Sequence, residues 1–323
     1  MLSALLVGCV DTPDQPAPES LSVGGVQVAE ELVQVTSPHE VTGGTLLEGP
    51  TFSADGTLHV VDVMAPAGEP KVLRIDVEDK TVQPLYTDDV SAFTSAQVSP
   101  LDGRIYLTDF LGSRIVSITQ DGEDTRTHFA GQVDGRPVLA DDIAFDPEGN
   151  MFVTDTTGMD GPGWVTPGRV IRIGVDGAVS VLAEDLPSPN GIVFDENDVG
   201  LWVAQYNANR IDYYQLDASR TSVLSAFPAI HVDAGASRID STAVDAAGNV
   251  YQAFHMKPEI AVYSRTGALV ETIRIPGEGL HTATNVAILP GTTRGFITVS
   301  GAAGGFDYTF EAAARGIRQS NGG

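Results

Sequence analysis

The sequence predicts an all-β fold, a six-bladed β-propeller closed by an N-terminal strand, on three observations. One phrase recurs six times: a polar residue, a short apolar run, a turn rich in Asp, Pro and Gly, then a second apolar run. Its clearest copy runs from Asp141-Asp142 through Phe145 and the turn Asp146–Asn150 to Asp155, and alternation after the turn marks a β-hairpin. Aligned on the apolar residue before the turn, the copies fall at Phe52, Val98, Phe145, Phe194, Val244 and Ile288, 44 to 50 residues apart. A period of that length with strands inside each unit belongs to propellers. Composition agrees, because 35 Gly and 19 Pro in 323 residues supply many tight turns.

Taken in order, residues 1–9 read as a lipoprotein-type signal. An apolar stretch from Leu2 to Gly8 runs into Cys9, the only cysteine, and a polar, proline-rich segment follows at 11–20. On that reading Cys9 becomes the lipid-bearing first residue. The protein then lies in the cell envelope on the outer side of the cytoplasmic membrane, or is secreted, with lipid as its only tie to a membrane. A single cysteine excludes an intrachain disulfide. Residues 10–25 read as a flexible tether and 26–323 as the propeller domain. Too few residues follow Ile288 to build a whole unit. Segment 26–36, apolar-rich and alternating near its end, is therefore expected to complete the last blade and remove an exposed sheet edge.

The strands then follow the repeat. Unit one is read at 51–53, 58–63, 72–76 and 81–86, unit two at 105–109 and 114–119, and unit three as the hairpin above plus 169–175. Units four, five and six are read at 191–194, 201–204 and 210–215, at 242–244, 250–253 and 260–264, and at 286–288, 295–300 and 306–310. No apolar run of 18 residues follows the start.

Charge narrows the partners. Asp and Glu number 43 against 18 Lys and Arg, a net charge of −25, and the only lysines are Lys71, Lys80 and Lys257. That excess repels nucleic acid and anionic lipid as partners, and a monomer acting on a small-molecule substrate is the expectation the family resemblance given below completes. No G-x-S-x-G elbow, H-E-x-x-H, Walker loop or dinucleotide glycine pattern occurs, and the six histidines show no zinc spacing.

Four residues before the six anchors stand Glu48, Thr94, Asp141, Asn190, Asp240 and Thr284, all oxygen-bearing. In a propeller the first strand of each blade lines the channel, so these positions converge on one mouth. Each has a local reading as well: Pro189-Asn190-Gly191 is ordinary turn chemistry, Asp240-Ser241 a turn cap, and Glu48-Gly49-Pro50 a solvated corner. Jointly they point to a cation, since converging carboxylates repel one another without one. An all-oxygen set favours calcium first, with magnesium or another divalent cation as the alternative. Loops after the second strands carry Trp164, Tyr206, His255 and Met256 as candidate pocket walls. The longest of them, 156–168, is a candidate for a second cation.

Taken together, Glu48-Gly49-Pro50, Pro189-Asn190-Gly191 and Asp240, each opening a unit, resemble the gluconolactonase, regucalcin and luciferin-regenerating-enzyme family of six-bladed propellers. Asp141-Asp142, Asp240-Ser241, Gly248-Asn249-Val250-Tyr251, Ile275-Pro276-Gly277 and Leu289-Pro290-Gly291-Thr292 are similar to its drug-responsive lactonase branch. The resemblance spans about residues 40–310. It implies one divalent cation at the mouth with Glu48, Asn190 and Asp240 as ligands, and Asp141 where many members have Asn. Ser241 joins them on the lactonase branch, and Asp142 orients its neighbours. It further implies hydrolysis of a lactone with Asp240 as acid and base. A phosphotriesterase-type hydrolase, or a non-catalytic envelope lipoprotein binding a sugar, peptide or protein, remain the alternatives.

Overall fold

The structure, a computed structural model, describes residues 24–158 and 161–321. The predicted signal and nearly all of the predicted tether lie outside that range, and Gly25, the last tether residue, already stands in a strand. Among the described residues the only helical element is the 3-10 turn Gly235–Ser237, and the remaining elements are strands. The fold is all-β.

The strands pair as the repeat demands. Four antiparallel sheets have four strands each, in chain order. The first holds Leu47–Phe52, Leu58–Asp62, Pro70–Asp76 and Thr81–Thr87. The next three open with Phe93–Val98, Ala140–Phe145 and Pro189–Phe194. A fifth group opens with Ile239–Asp245 and ends with Leu269–Arg274, and a sixth runs from Leu280–Ile288 through Arg294–Gly301 to Gly304–Glu311. A single pairing, Phe254 with Ala283, joins these last two. Glu30–Thr36 pairs antiparallel with Gly304–Glu311, while Gly25–Val28 pairs parallel with Leu269–Arg274. One short N-terminal segment is thus stitched to both groups. The opening strands touch one another in chain order, and Leu280–Ile288 touches Leu47–Phe52, completing a cycle.

Apolar side chains fill the spaces between neighbouring sheets. Aromatic pairs mark three of these seams. Tyr106 meets Phe145 edge-on at 5.0 Å, Phe152 meets Phe194 at 5.0 Å, and Phe52 meets Phe296 at 5.1 Å. Such edge-to-face contacts add to the burial of the rings themselves.

Part of the acidic excess belongs to the scaffold. Asp146, Asp195 and Asp245 each accept two backbone amides inside the turn that follows an opening strand. Asp62, Asp109 and Asp155, at the ends of second strands, accept the amides of Leu46, Ala92 and Leu139. A C-terminal strand, Gly316–Asn321, pairs with Ile239–Asp245. Its mostly polar sequence carries no strand signal, and sequence reading did not anticipate it.

Candidate metal centre and active site

The side chains of the register converge because every opening strand is irregular at that point. Pairing with the second strand slips between Glu48 and Thr51, Phe93 and Ser95, Ala140 and Ile143, Pro189 and Ile192, Ile239 and Thr242, and Ala283 and Asn285. A bulge adds a residue to one strand and re-aims its side chain. Here it does so at the oxygen-bearing position of all six strands.

Two glycines make the convergence possible. A Cβ on Gly49, at φ 57°, would stand 2.3 Å from the Ala96 amide nitrogen, and one on Gly191 would stand 2.7 Å from that of Thr242. In both cases the obstacle is the backbone of the next opening strand. The turn-like motifs Glu48-Gly49-Pro50 and Pro189-Asn190-Gly191 therefore reflect close approach between strands.

Of the six register residues, Glu48, Asp141, Asn190 and Asp240 come together, and the two threonines serve the backbone. Thr94 donates to the Ala140 carbonyl at 3.0 Å, and Thr284 donates to that of Leu47. Thr108 and Thr154 likewise hold the carbonyls of Asp141 and Asn190 at 2.6 and 2.7 Å. Gln252 donates to the carbonyls of Asp240 and Ser241 at 2.9 and 3.1 Å. The turns that carry the candidate ligands are thus fixed through their own main chain.

Electrostatics records how close the acids stand. Burial, then the charges of Asp240, Asp142 and Asp141, hold the Glu48 carboxyl well above the usual range, against a smaller opposing influence of the nearby Thr284 hydroxyl. Burial and the Asp240 charge push Asp141 up to about 8. Asp142 is raised by burial and by the charge of Asp141, against a smaller opposing influence of the Ser241 hydroxyl. The Asn190 amide donates to Asp141 Oδ2 at 2.8 Å.

Three buried oxygens here have no hydrogen-bond partner: Glu48 Oε2, Asp142 Oδ2 and Asn190 Oδ1. Desolvated acceptors without a donor are costly, and they fit a hard cation with oxygen ligands. As their side chains are turned, no three His, Cys, Asp or Glu among the described residues close on one point. Burial first and mutual repulsion second account for the raised pKa values. The loop 156–168 gains no second site from Asp155, whose carboxylate is bound by Arg169 and the Leu139 amide.

His255, absent from the register, reaches the centre from its loop. Its Nδ1 lies 3.2 Å from Asp240 Oδ2, and a quarter of its side chain is exposed. Burial works to lower its pKa, but the hydrogen bond and charge of Asp240 and the charge of Asp141 prevail and raise it. Tyr206 packs edge-on against it at 5.5 Å, and the Arg238 guanidinium lies 5.1 Å over the Tyr206 ring. Trp164 and Met256 are exposed. A cavity of about 680 Å³ lies elsewhere, at the turn end of the opening strands, lined by Phe52, Val98, Ile288 and Gly316. None of the candidate ligands lines it.

The pattern described as SMP-30/Gluconolactonase/LRE-like region matches residues 46–300, an interval holding every candidate ligand. Lactonase drp35 of Staphylococcus saprophyticus is 25% identical over 285 residues, 84% of this chain and 85% of that protein. Regucalcin from Agrobacterium tumefaciens, described as a calcium-binding protein, shares the fold with a TM-score of 0.72 at 16% identity, covering 92% of this chain and 99% of that one. A gluconolactonase from Xanthomonas campestris does so with a TM-score of 0.68 at 21% identity, covering 89% and 98%.

Proposed function

The chain belongs to the SMP-30/gluconolactonase/LRE-like family, and from that premise we propose that it is a lactonase, opening a cyclic ester at a divalent cation. The fold behind this reading is a six-bladed propeller. Six groups of strands, their opening strands in a cycle, and Glu30–Thr36 added to the last group all support it. The cation is held by Glu48, Asp141, Asn190 and Asp240, with Ser241 beside them. Calcium suits that donor set best, and magnesium or another divalent cation is the alternative.

The observation that carries the reading is the set of partnerless oxygens on Glu48, Asp142 and Asn190, buried among mutually repelling carboxylates. A cation bound there would polarise the lactone carbonyl and acidify water. Asp240 acts as acid and base, taking a proton from the water that adds and returning one to the departing alkoxide. A carboxylate beside a dication is a weak base. His255, bonded to Asp240 and partly open to solvent, holds that carboxylate and offers its proton a way out. Asp142 steadies Ser241.

Hydrolysis of aliphatic and aromatic lactones with calcium or chelator tests the reading. Asp240→Asn keeps an oxygen ligand and removes the proton acceptor, so kcat should fall by at least about 10² while calorimetry still registers calcium. Parental rates in that variant refute the acid–base role. A parent protein that binds calcium, ignores every lactone and cleaves a phosphotriester control is the other hydrolase. One that binds a sugar or peptide without turnover is a binding protein. We propose also that Cys9 carries the lipid anchor.

A further inference from the structure

Arg238 stands two residues before Asp240, half-buried, with φ 57° and ψ 155°. L side chains seldom take that backbone conformation, and departures of this kind cluster at functional sites. Its carbonyl accepts the His255 amide at 3.3 Å, which ties the unusual backbone to the residue bonded to Asp240. Its guanidinium is held over Tyr206 at 5.1 Å, and Nη1 donates to Asn207 Oδ1 at 2.9 Å. Yet in a chain with 43 acidic and 18 basic residues, no carboxylate lies within ion-pair distance of that guanidinium among the described residues. Most other arginines are paired, as Arg114 is with Asp109, Arg169 with Asp155 and Arg210 with Asp212, while Arg74 and Arg136 bond the Gln83 side chain and the Pro167 carbonyl instead. A cation fixed in place, unpaired and next to an acidic cluster has its charge left for a ligand. The planar fork of Arg suits a carboxylate.

We propose that Arg238 is a specificity-determining residue, recognising a carboxylate carried by the lactone on the side remote from its ester carbonyl. This rests on the lactonase reading. From Asp240 the path outward runs through the rings of His255 and Tyr206 to Arg238. The carboxylate must therefore sit across a ring from the reacting carbonyl. Without Arg238 the acidic mouth repels such a substrate.

Phthalide bearing a 5-carboxylate and the matching 5-carboxamide differ in charge at one position, and comparing their ratio between the parent and Arg238→Met cancels ring electronics. With calcium present at low salt, the parent should show kcat/KM at least about tenfold higher for the carboxylate, and the preference should shrink as salt screens it. Arg238→Met should erase that preference while leaving the carboxamide rate within about twofold. Arg238→Lys should keep part of it, as a charge without the fork. A parent that prefers the carboxamide, or an Arg238→Met protein slowed equally on both compounds, overturns the proposal. If neither compound turns over, the lactonase reading fails for this ring system, and calorimetric binding decides. Tighter binding of the carboxylate by the parent but not by Arg238→Met upholds the anion site, and equal affinities overturn it.

Discussion

Glu48 concentrates the conflict at the candidate metal centre. A carboxyl whose folded-state pKa is raised stabilises the fold below its unfolded value and loses that contribution as pH climbs through the folded value. Asp141, pushed up to about 8, sets the upper end of the window. His59, buried and held down to about 4, acts oppositely and gains stability as pH rises to about 6.5. Above that the carboxyl groups and the raised His255 act in one direction. The Tm of the chelated protein should therefore fall between about pH 6.5 and pH 8. Glu48→Gln removes one of the crowded charges. It should raise the chelated Tm at pH 8 by the equivalent of about 1 kcal/mol or more, and abolish most of the shift that calcium gives the parent. Scanning calorimetry reads both, and a variant melting below the parent in chelator contradicts this account. Asp307 is a control outside the centre. Both its oxygens are buried without partners, and burial alone holds it well above the usual range. Asp307→Asn should raise the Tm at pH 8 and leave the calcium shift intact.

At the scale of elements, two devices shape the mouth: the bulges and the glycines that let opening strands approach. Gly49→Ala forces a Cβ into the Ala96 amide as well as an unfavourable φ. It should cost more than about 3 kcal/mol in urea unfolding. Gly56→Ala shares the positive φ but meets nothing within 4 Å, so about 1 kcal/mol is expected. Similar losses at both positions would remove close approach as the reason for Gly49. The N-terminal segment makes the second element-scale prediction. Deleting through Val41 removes strands paired with both the fifth and the sixth group and should abolish cooperative unfolding. Deleting only through Ser20 should not, and equal stability of the two truncations sinks the closure.

For the whole molecule, calcium bound as proposed would be linked to folding by mass action. A ligand of the native state alone stabilises by about 2.7 kcal/mol at a hundredfold excess over its Kd. The parent's Tm should therefore climb with the logarithm of calcium concentration, and a Glu48→Gln, Asp240→Asn double variant should stay flat. Equal shifts in both would move the site elsewhere. Intact-mass analysis of native, membrane-extracted protein should find a diacylglyceryl-type addition on a chain beginning at Cys9. An unmodified soluble chain beginning at Met1 would count against the anchor.

The local grammar of the sequence determined the all-β class, the hairpins and the oxygen-bearing register, because alternation and turn chemistry act between residues close along the chain. Glu48, Asp141, Asn190 and Asp240 were legible for that reason: they repeat at one offset from an apolar anchor. Tertiary structure decided which register residues face the mouth. Thr94 and Thr284 share the offset but turn to neighbouring carbonyls, because two strands meet there. The acids at Asp62, Asp109 and Asp155 look as catalytic in sequence as any others, and only long-range partners identify them as struts. His255, Tyr206 and Arg238 reach Asp240 from loops, with no period to announce them. Their meeting depends on how closely the opening strands pack, which contacts between distant residues settle and no local pattern records.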